Sequence, residues 1–310
     1  MRIVFWGTAD FAVPPLRALD EEGFDVVGVV TQPDRPAGRG REPHASPVKR
    51  VASELAVPVL QPERASDPAF VRELQALEPD ISVVVAYGQI LRPEVLEVPT
   101  HGSINIHASL LPELRGAAPV QWAIIRGHDR SGVSIMRMEE GLDSGPVLYR
   151  VEEPIRPDES AAELGMRLSE IGAESLVEVL ALMEGEAVSE EPQDHDRATY
   201  APKLSREDAR IDWSRPAEEI ARRIRGMDDV PGAWSRLDGK PVKLFRPVVE
   251  PREGKPGTVL EADPSEGVVV AAGTGAVRLR EVQPPGKRRM EAAAWVRGRG
   301  VSAGDRFDEE

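Results

Sequence analysis

No cysteine occurs in the chain, and no apolar run approaches the roughly 18 residues that a membrane-spanning helix needs. The missing thiols exclude disulfide bonds, a thiolate nucleophile and any metal site that uses cysteine ligands. The opening residues Met1–Gly7 have the pattern of a buried strand and lack that of a cleavable signal peptide. We therefore expect a soluble, cytoplasmic protein.

The motifs that hold the phosphates of common cofactors are also missing. A single glycine, Gly7, follows the first predicted strand, whereas the dinucleotide-binding fingerprint uses three, and no P-loop sequence occurs anywhere. The histidines are too scattered for the i, i+4 spacing of a helical zinc site. We therefore expect neither a NAD-type cofactor nor a P-loop nucleotide site nor a bound metal.

Positive charge is scarce in most of the chain, whose formal net charge is −14. The first 205 residues hold 34 Asp and Glu against 19 Lys and Arg, whereas the rest holds 19 against 20. This balance argues against a protein that coats nucleic acid non-specifically. The nearly neutral C-terminal third, with basic clusters at 222–225 and 287–289, permits a local contact with nucleic acid.

Strand-like and helical segments alternate over residues 1–188, which is typical of a parallel sheet covered by helices. Residues 189–208 are polar, broken by prolines and without periodicity, as in an interdomain linker. Over 209–310, short strand-like runs separated by Gly and Pro predict a small barrel or sandwich. The predicted fold is an α/β domain with a mostly parallel sheet and helices on both faces, followed by a small β domain. The clearest strands are expected at 2–7, 25–31, 80–86 and 103–107.

One short segment carries residues suited to catalysis. Asn105 and His107 are two positions apart on a predicted strand, so their side chains share one face near its C-terminal end. An amide can stabilise a developing oxyanion, and an imidazole can move a proton near neutral pH. Asp143, in a glycine-flanked turn, is a third candidate that could orient the imidazole. Taken singly, the same patterns are also common as a hydrogen-bonded strand end and as ordinary turn chemistry.

The run 105–119, together with the turn 141–145, closely resembles the formyltetrahydrofolate-dependent formyltransferases. Other segments narrow the resemblance to the methionyl-tRNA formyltransferases within that family. Residues 31–41 are similar to a loop inserted in those enzymes, and Ser46–Lys49 extends the match. The stretches that resemble the entry into their C-terminal domain are 199–204, 209–213 and 241–243.

The resemblance implies a Rossmann-like catalytic domain at 1–188, a linker at 189–208 and an oligonucleotide-binding (OB-like), tRNA-binding β-barrel at 209–310. It implies transfer of a formyl group from the co-substrate 10-formyltetrahydrofolate to the α-amino group of methionyl initiator tRNA, in translation initiation. No metal takes part in that reaction, and the enzyme is expected to act as a monomer away from membranes.

The resemblance also implies roles for individual residues. Asn105, His107 and Asp143 fall on the family's catalytic residues. The family's tetrahydrofolate-binding stretch corresponds to Ser109, Leu110, Leu111 and Pro112. The family's loop that contacts the tRNA acceptor end contains the positions of Arg39 and Arg41.

Other functions fit parts of the same pattern. A formyltransferase that acts on a nucleotide sugar or on glycinamide ribonucleotide would share the chemistry, although the loop around Arg39 and the second domain argue against the ribonucleotide enzyme. A formyltetrahydrofolate hydrolase would use water in place of the amine. A non-catalytic RNA-binding protein could keep the fold, but the intact set of Asn105, His107 and Asp143 argues against it.

Overall fold

A computed structural model describes residues 1–37 and 42–308 of the chain, which divides into two compact units. The first unit comprises Met1–Gly116, Ser131–Pro154 and Gly165–Ala201. The second comprises Ala117–Arg130, Ile155–Leu164 and Pro202–Glu310.

Strands and helices occur in both units. The strands are β1 (Arg2–Gly7), β2 (Asp25–Val30), β3 (Arg35–Ala37), β4 (Glu42–His44), β5 (Val59–Leu60), β6 (Ile81–Val85), β7 (Ser103–His107), β8 (Arg130–Arg137), β9 (Val147–Pro154), β10 (Trp234–Leu237), β11 (Lys240–Glu250), β12 (Val259–Asp263), β13 (Gly267–Ala271), β14 (Ala276–Gln283) and β15 (Met290–Glu291). The helices are α1 (Val13–Glu21), α2 (Pro47–Glu54), α3 (Pro68–Ala76), α4 (Pro93–Leu96), α5 (Pro119–Arg126), α6 (Ala161–Glu184), α7 (Ala217–Gly226) and α8 (Ala292–Arg297).

The main sheet of the first unit has the strand order β5-β2-β1-β6-β7-β8-β9. From β5 to β7 neighbouring strands are parallel, and β8 is antiparallel to β7. Every residue of β6 is buried, as expected for a parallel strand covered on both faces. The chain leaves β1 first towards β2 and returns to the other side of β1 as β6, which creates a topological switch point.

Helices cover both faces of this sheet. Trp6 of β1 packs edge-on against Phe70 of α3, and its Nε1 donates to Ser82 Oγ at 3.0 Å. On the opposite face, Gly172 of α6 lies so close to Ile106 that an added Cβ would meet that side chain at 2.9 Å. The predicted α/β fold with helices on both faces is therefore confirmed.

The second unit contains an antiparallel sheet with the order β10-β11-β14-β13-β12, and β15 pairs with β14. The end of the described chain joins the two outer strands, because Phe307 bridges Leu237 of β10 while Arg306 bridges Thr258, just before β12. Phe307 N donates to the Gly257 carbonyl at 2.8 Å. These contacts close the curled sheet into a small barrel, one of the two forms that the strand pattern predicts.

The side chain of Phe307 is buried where the chain joins the two outer strands. It is 2% exposed and packs against Trp213, with ring centroids 5.5 Å apart. Trp213 Nε1 in turn donates to Ser235 Oγ on β10 at 2.9 Å. The aromatic pair thus joins the chain end to the core of the barrel.

We predict that Phe307→Ala lowers the free energy of unfolding of the second unit by about 3–5 kcal/mol, because it leaves a cavity beside Trp213. Urea unfolding followed by tryptophan fluorescence measures the change. The control is Val249→Ala on β11, where the valine is 36% exposed, and it is expected to cost far less. Equal losses in the two variants would contradict the role of Phe307.

A capping box of Ser160 and Glu163 starts α6, and Arg246 of β11 bonds to it; all three residues belong to the second unit. Ser160 N and Oγ donate to Glu163 Oε2 at 2.9 and 2.8 Å, and Glu163 N donates to Ser160 Oγ at 3.3 Å. Arg246 Nη2 donates to Glu163 Oε1 at 2.8 Å. Burial alone raises the pKa of Glu163, but the hydrogen bonds from Arg246 and Ser160 outweigh it and lower the pKa to about 2.

A depressed carboxyl pKa stabilises the folded state above the unfolded pKa, near 4.5, and this contribution is lost as the pH falls towards 2. We predict that Glu163→Gln is less stable than the parent at pH 7 and that the difference shrinks between pH 5 and 2. The effect is modest because Glu163 is 44% exposed. Urea midpoints across this pH range test it, with exposed Glu73→Gln as control. A pH-independent difference would contradict the prediction.

Candidate active site

The candidate catalytic residues meet at the carboxyl ends of the parallel strands. Asn105 and His107 lie on β7, two strands from the switch point, where open α/β sheets bind their ligands. The register pairs Trp6 with Val84 and Val84 with Asn105, so these three side chains share a face. His107 lies on the same face by the two-residue strand period.

The tautomer of His107 is fixed by the main chain. Its side chain is 6% exposed, and Nε2 lies 3.0 Å from the carbonyl oxygen of Leu114. A carbonyl oxygen can only accept, so Nε2 carries the hydrogen and donates it. Nδ1 is therefore the nitrogen that remains to take up or release a proton.

Asp143 faces this second nitrogen. Its Oδ2 lies 3.8 Å from His107 Nδ1 and accepts a hydrogen bond from Gly116 N at 2.7 Å. The carboxylate is thus held by the main chain, at a distance from which it stabilises a positive charge on the imidazole. A charge-assisted hydrogen bond to a backbone N–H also limits rotation of the carboxylate.

Glycine is required at two positions around Asp143. Gly116 has φ +116°, and an added Cβ would lie 2.8 Å from the carbonyl oxygen of Ala201. At Gly145 an added Cβ would lie 2.2 Å from the carbonyl oxygen of Arg137. Asp143 itself has φ +46°, which a non-glycine residue rarely adopts. A side chain at Gly145 would therefore displace the turn, and one at Gly116 would displace the N–H that bonds to the carboxylate.

Asn105 is the one asparagine in the entire sequence. Its side chain is only partly buried. Within the described ranges, no side chain or backbone group forms a hydrogen bond with its side-chain amide. An amide that stabilises neither a strand end nor a turn remains available to a ligand. This arrangement favours a direct role in chemistry over a structural one.

The predicted folate-binding stretch forms a tight loop after β7. Ser134 Oγ donates to Ser109 O at 2.7 Å and accepts from Leu111 N at 3.1 Å. Leu111 is 2% exposed and packs with Met136 and Val147. Leu110 and Pro112 are half-buried, so within this stretch they keep the larger exposed surface.

The other predicted binding residues, Arg39 and Arg41, lie outside the described residues. The flanking strands β3 and β4 pair antiparallel. A polar cluster lies beside them: Lys49 Nζ donates to Asp34 Oδ2 at 2.6 Å and to Gln61 Oε1 at 2.8 Å. The hydrogen bonds from Lys49 and Gln61 lower the pKa of Asp34. Asp34 and Lys49, which lie on either side of the predicted tRNA loop, are thus held together beside Gln61, the residue that follows β5.

Sequence reasoning missed three features of the site. The loop after β6 lies at the same sheet edge and carries Ile90, whose side chain is 86% exposed. The position of β6 in a parallel sheet could have indicated this loop. Arg115 and Gln193, both buried beside the Asp143 turn, are 78 residues apart and have no spacing that connects them.

Two general findings bear on the kind of site. Among residues 1–37 and 42–308, no group of three or more His, Asp or Glu side chains is arranged to hold a metal ion. The helices of the described chain include none that is long and apolar enough to cross a membrane.

The chain is also similar to known proteins along most of its length. The family model described as "Formyl transferase" matches residues 1–180, and "Formyl transferase, C-terminal domain" matches 203–300. The chain is 47% identical over 308 residues to the methionyl-tRNA formyltransferase of Magnetococcus marinus, covering 99% of this chain and 98% of that protein. It is 48% identical over 310 residues to that of Symbiobacterium thermophilum, covering 99% and 95%.

Solved structures share the fold. HypX from Aquifex aeolicus, in complex with tetrahydrofolic acid, superimposes with a TM-score of 0.69 at 22% identity over 95% of this chain and 46% of that chain. The methionyl-tRNA formyltransferase of Clostridium thermocellum gives a TM-score of 0.59 at 15% identity, over 90% of this chain and 98% of that chain. The structural likeness supports the fold, and the sequence matches identify the family. The chain belongs to the formyl transferase family.

Proposed function

We propose that the chain transfers the formyl group of 10-formyltetrahydrofolate to the α-amino group of methionyl initiator tRNA, in translation initiation. The observation that carries the proposal is the convergence of Asn105, His107 and Asp143 at one sheet edge. The acceptor is supported by relatives named methionyl-tRNA formyltransferase that match nearly the whole chain at 44–48% identity.

The chemistry needs a neutral amine and a stabilised oxyanion. A free α-amino group has a pKa near 8, and an adjacent ester lowers it, so an unprotonated nucleophile exists at neutral pH. Nitrogen attacks the formyl carbon, and negative charge grows on the formyl oxygen. The unpartnered amide of Asn105 donates to that oxygen in our proposal, and such a donor is typically worth about 2.7–4 kcal/mol in the transition state.

His107 moves the proton. Because Nε2 is committed to the Leu114 carbonyl, Nδ1 accepts the proton that the attacking amine releases. The carboxylate of Asp143 stabilises the resulting imidazolium. The bond from the formyl carbon to the folate nitrogen then breaks, and that nitrogen gains a proton, so the products are the formylated amine and tetrahydrofolate.

The substrates are assigned to different parts of the chain. The folate contacts the stretch Ser109–Pro112, chiefly through the half-buried Leu110 and Pro112. The acceptor end of the tRNA contacts the loop with Arg39 and Arg41, and the domain at 209–310 binds more of the tRNA. In this proposal residues 1–188 form the catalytic domain, 189–208 connect the two domains, and the enzyme works as a cytoplasmic monomer.

The test incubates purified protein with 10-formyltetrahydrofolate and either methionine-charged or uncharged initiator tRNA. We expect tetrahydrofolate release only with the charged tRNA, together with one formylmethionyl group per folate released. Release without tRNA would contradict the proposal in favour of a hydrolase. Absence of both products would contradict the tRNA acceptor and favour sugar or nucleotide amines.

The catalytic assignment predicts the behaviour of two single variants. Asn105→Ala and Asp143→Asn should each lower kcat by roughly 10²–10³, because one loses the oxyanion donor and the other the charge that faces the imidazole. The affinity for charged tRNA, measured by filter binding, should not change. Exposed Asp20→Asn on α1 is the matched control. Nearly normal turnover in both variants would refute the assignment.

The loop assignment predicts an effect on tRNA affinity. The double variant Arg39→Ala/Arg41→Ala should raise KM for methionyl-tRNA and reduce the slope of log K against log salt by about 1–2, because up to two phosphate contacts are lost. KM for the folate should stay constant. Exposed Arg72→Ala on α3 is the control. An unchanged salt slope in the double variant would contradict this role.

A further inference from the structure

We infer that Gln193 is a positioning residue for the reaction: it holds the turn that carries Asp143, so the segment 191–201 completes the active site. The inference rests on the proposed function, and it extends the site to a part of the chain that looks like a linker in the sequence. Gln193 is 7% exposed although its neighbours in sequence are exposed or polar. A buried amide in such a segment requires specific partners.

The nitrogen of the Gln193 amide binds the turn directly. Nε2 donates to the carbonyl oxygen of Asp143 at 2.9 Å and to that of Gly145 at 2.6 Å. Both hydrogens of the amide are thereby used. The two bonds span the half of the turn that contains Asp143, so they determine where its Cα and carboxylate lie.

The oxygen of the same amide is fixed by a buried guanidinium. Arg115 is 4% exposed, and its Nε and Nη2 donate to Gln193 Oε1 at 3.1 and 2.7 Å. A rotated amide would place its oxygen against two carbonyl oxygens and its nitrogen against the guanidinium, with no hydrogen bond on either side. The amide therefore has one orientation.

Arg115, Gly116 and Gln193 together hold both the main chain and the carboxylate of Asp143. The peptide that follows Arg115 supplies Gly116 N, which donates to Asp143 Oδ2 at 2.7 Å. The Arg115 side chain, through Gln193, holds the carbonyl of the same aspartate. Asp143 is thus hydrogen-bonded at its main-chain carbonyl and at its carboxylate, and its Oδ2 lies 3.8 Å from His107 Nδ1.

Main-chain pairing holds the segment 191–201 in register. Glu191 and Val147 exchange two backbone hydrogen bonds of 2.8 Å, two residues before Gln193. Further along, Arg115 N donates to the Thr199 carbonyl at 2.9 Å, and Ala201 N donates to the Arg115 carbonyl at 2.7 Å. Gln193 is therefore presented from a segment that is anchored on both sides.

The test compares Gln193→Ala and Gln193→Glu with the parent enzyme, with exposed Gln75→Glu on α3 as control. The glutamate keeps the size of the side chain but turns an acceptor towards the two carbonyl oxygens. We expect kcat to fall roughly 10- to 100-fold in both Gln193 variants, with KM for tRNA and folate nearly constant, because displacement of a catalytic group by about 1 Å has such an effect. The control should match the parent.

A double-mutant cycle separates positioning from a general loss of structure. In an Asp143→Ala background, Gln193→Ala should cause no further loss in the rate of formyl transfer. This slow rate is measured over hours in single-turnover reactions with enzyme in excess. An unchanged kcat in Gln193→Ala, or an equal additional loss in the Asp143→Ala background, would overturn the inference. A parent enzyme that forms no formylmethionyl-tRNA would contradict the proposed function instead.

Discussion

The hydrogen bond from His107 Nε2 to the carbonyl oxygen of Leu114 is the contact on which the proposed chemistry of the site depends. It commits one ring nitrogen to the main chain, so in the proposed reaction Nδ1 is the nitrogen that exchanges a proton. Asp143 faces Nδ1 because Gly116 N holds its carboxylate in place. Leu114 and Gly116 both lie in the loop after β7. A single loop conformation therefore sets the tautomer of the histidine and the position of the carboxylate that faces it.

The surrounding structure constrains that loop from several directions. Ser134 ties Ser109 and Leu111 to β8. On the other side, Arg115 pairs with the segment 191–201, and Gly116 approaches Ala201 too closely for any side chain. The site is therefore built where a strand end, a glycine turn and a distant segment meet, and the parallel sheet supplies only the common edge.

The parts of the structure that depend on local pattern could be predicted from the sequence. The two-residue period of β7 placed Asn105 and His107 on one face, and the strand at 103–107 has the predicted bounds. The glycine-flanked turn made Asp143 a candidate, but its approach to His107 could not be obtained from the strand period, because it depends on a turn 36 residues later. Gln193 escaped because a polar segment without periodicity carries no signal for burial. The helix α8 was not expected in the small β domain, because a run of six residues is too short for a clear helical period.

The most direct measurement is the tautomeric state of His107, read from the ¹⁵N chemical shifts of its imidazole at a pH where the ring is neutral. We predict a protonated Nε2 with the shift of a pyrrole-type nitrogen and an unprotonated Nδ1 with that of a pyridine-type nitrogen. Replacing Asp143 by Asn should leave this assignment unchanged, because the tautomer is set by the Leu114 carbonyl. A neutral ring protonated at Nδ1 would contradict the assignment of the proton-transferring nitrogen and the mechanism built on it.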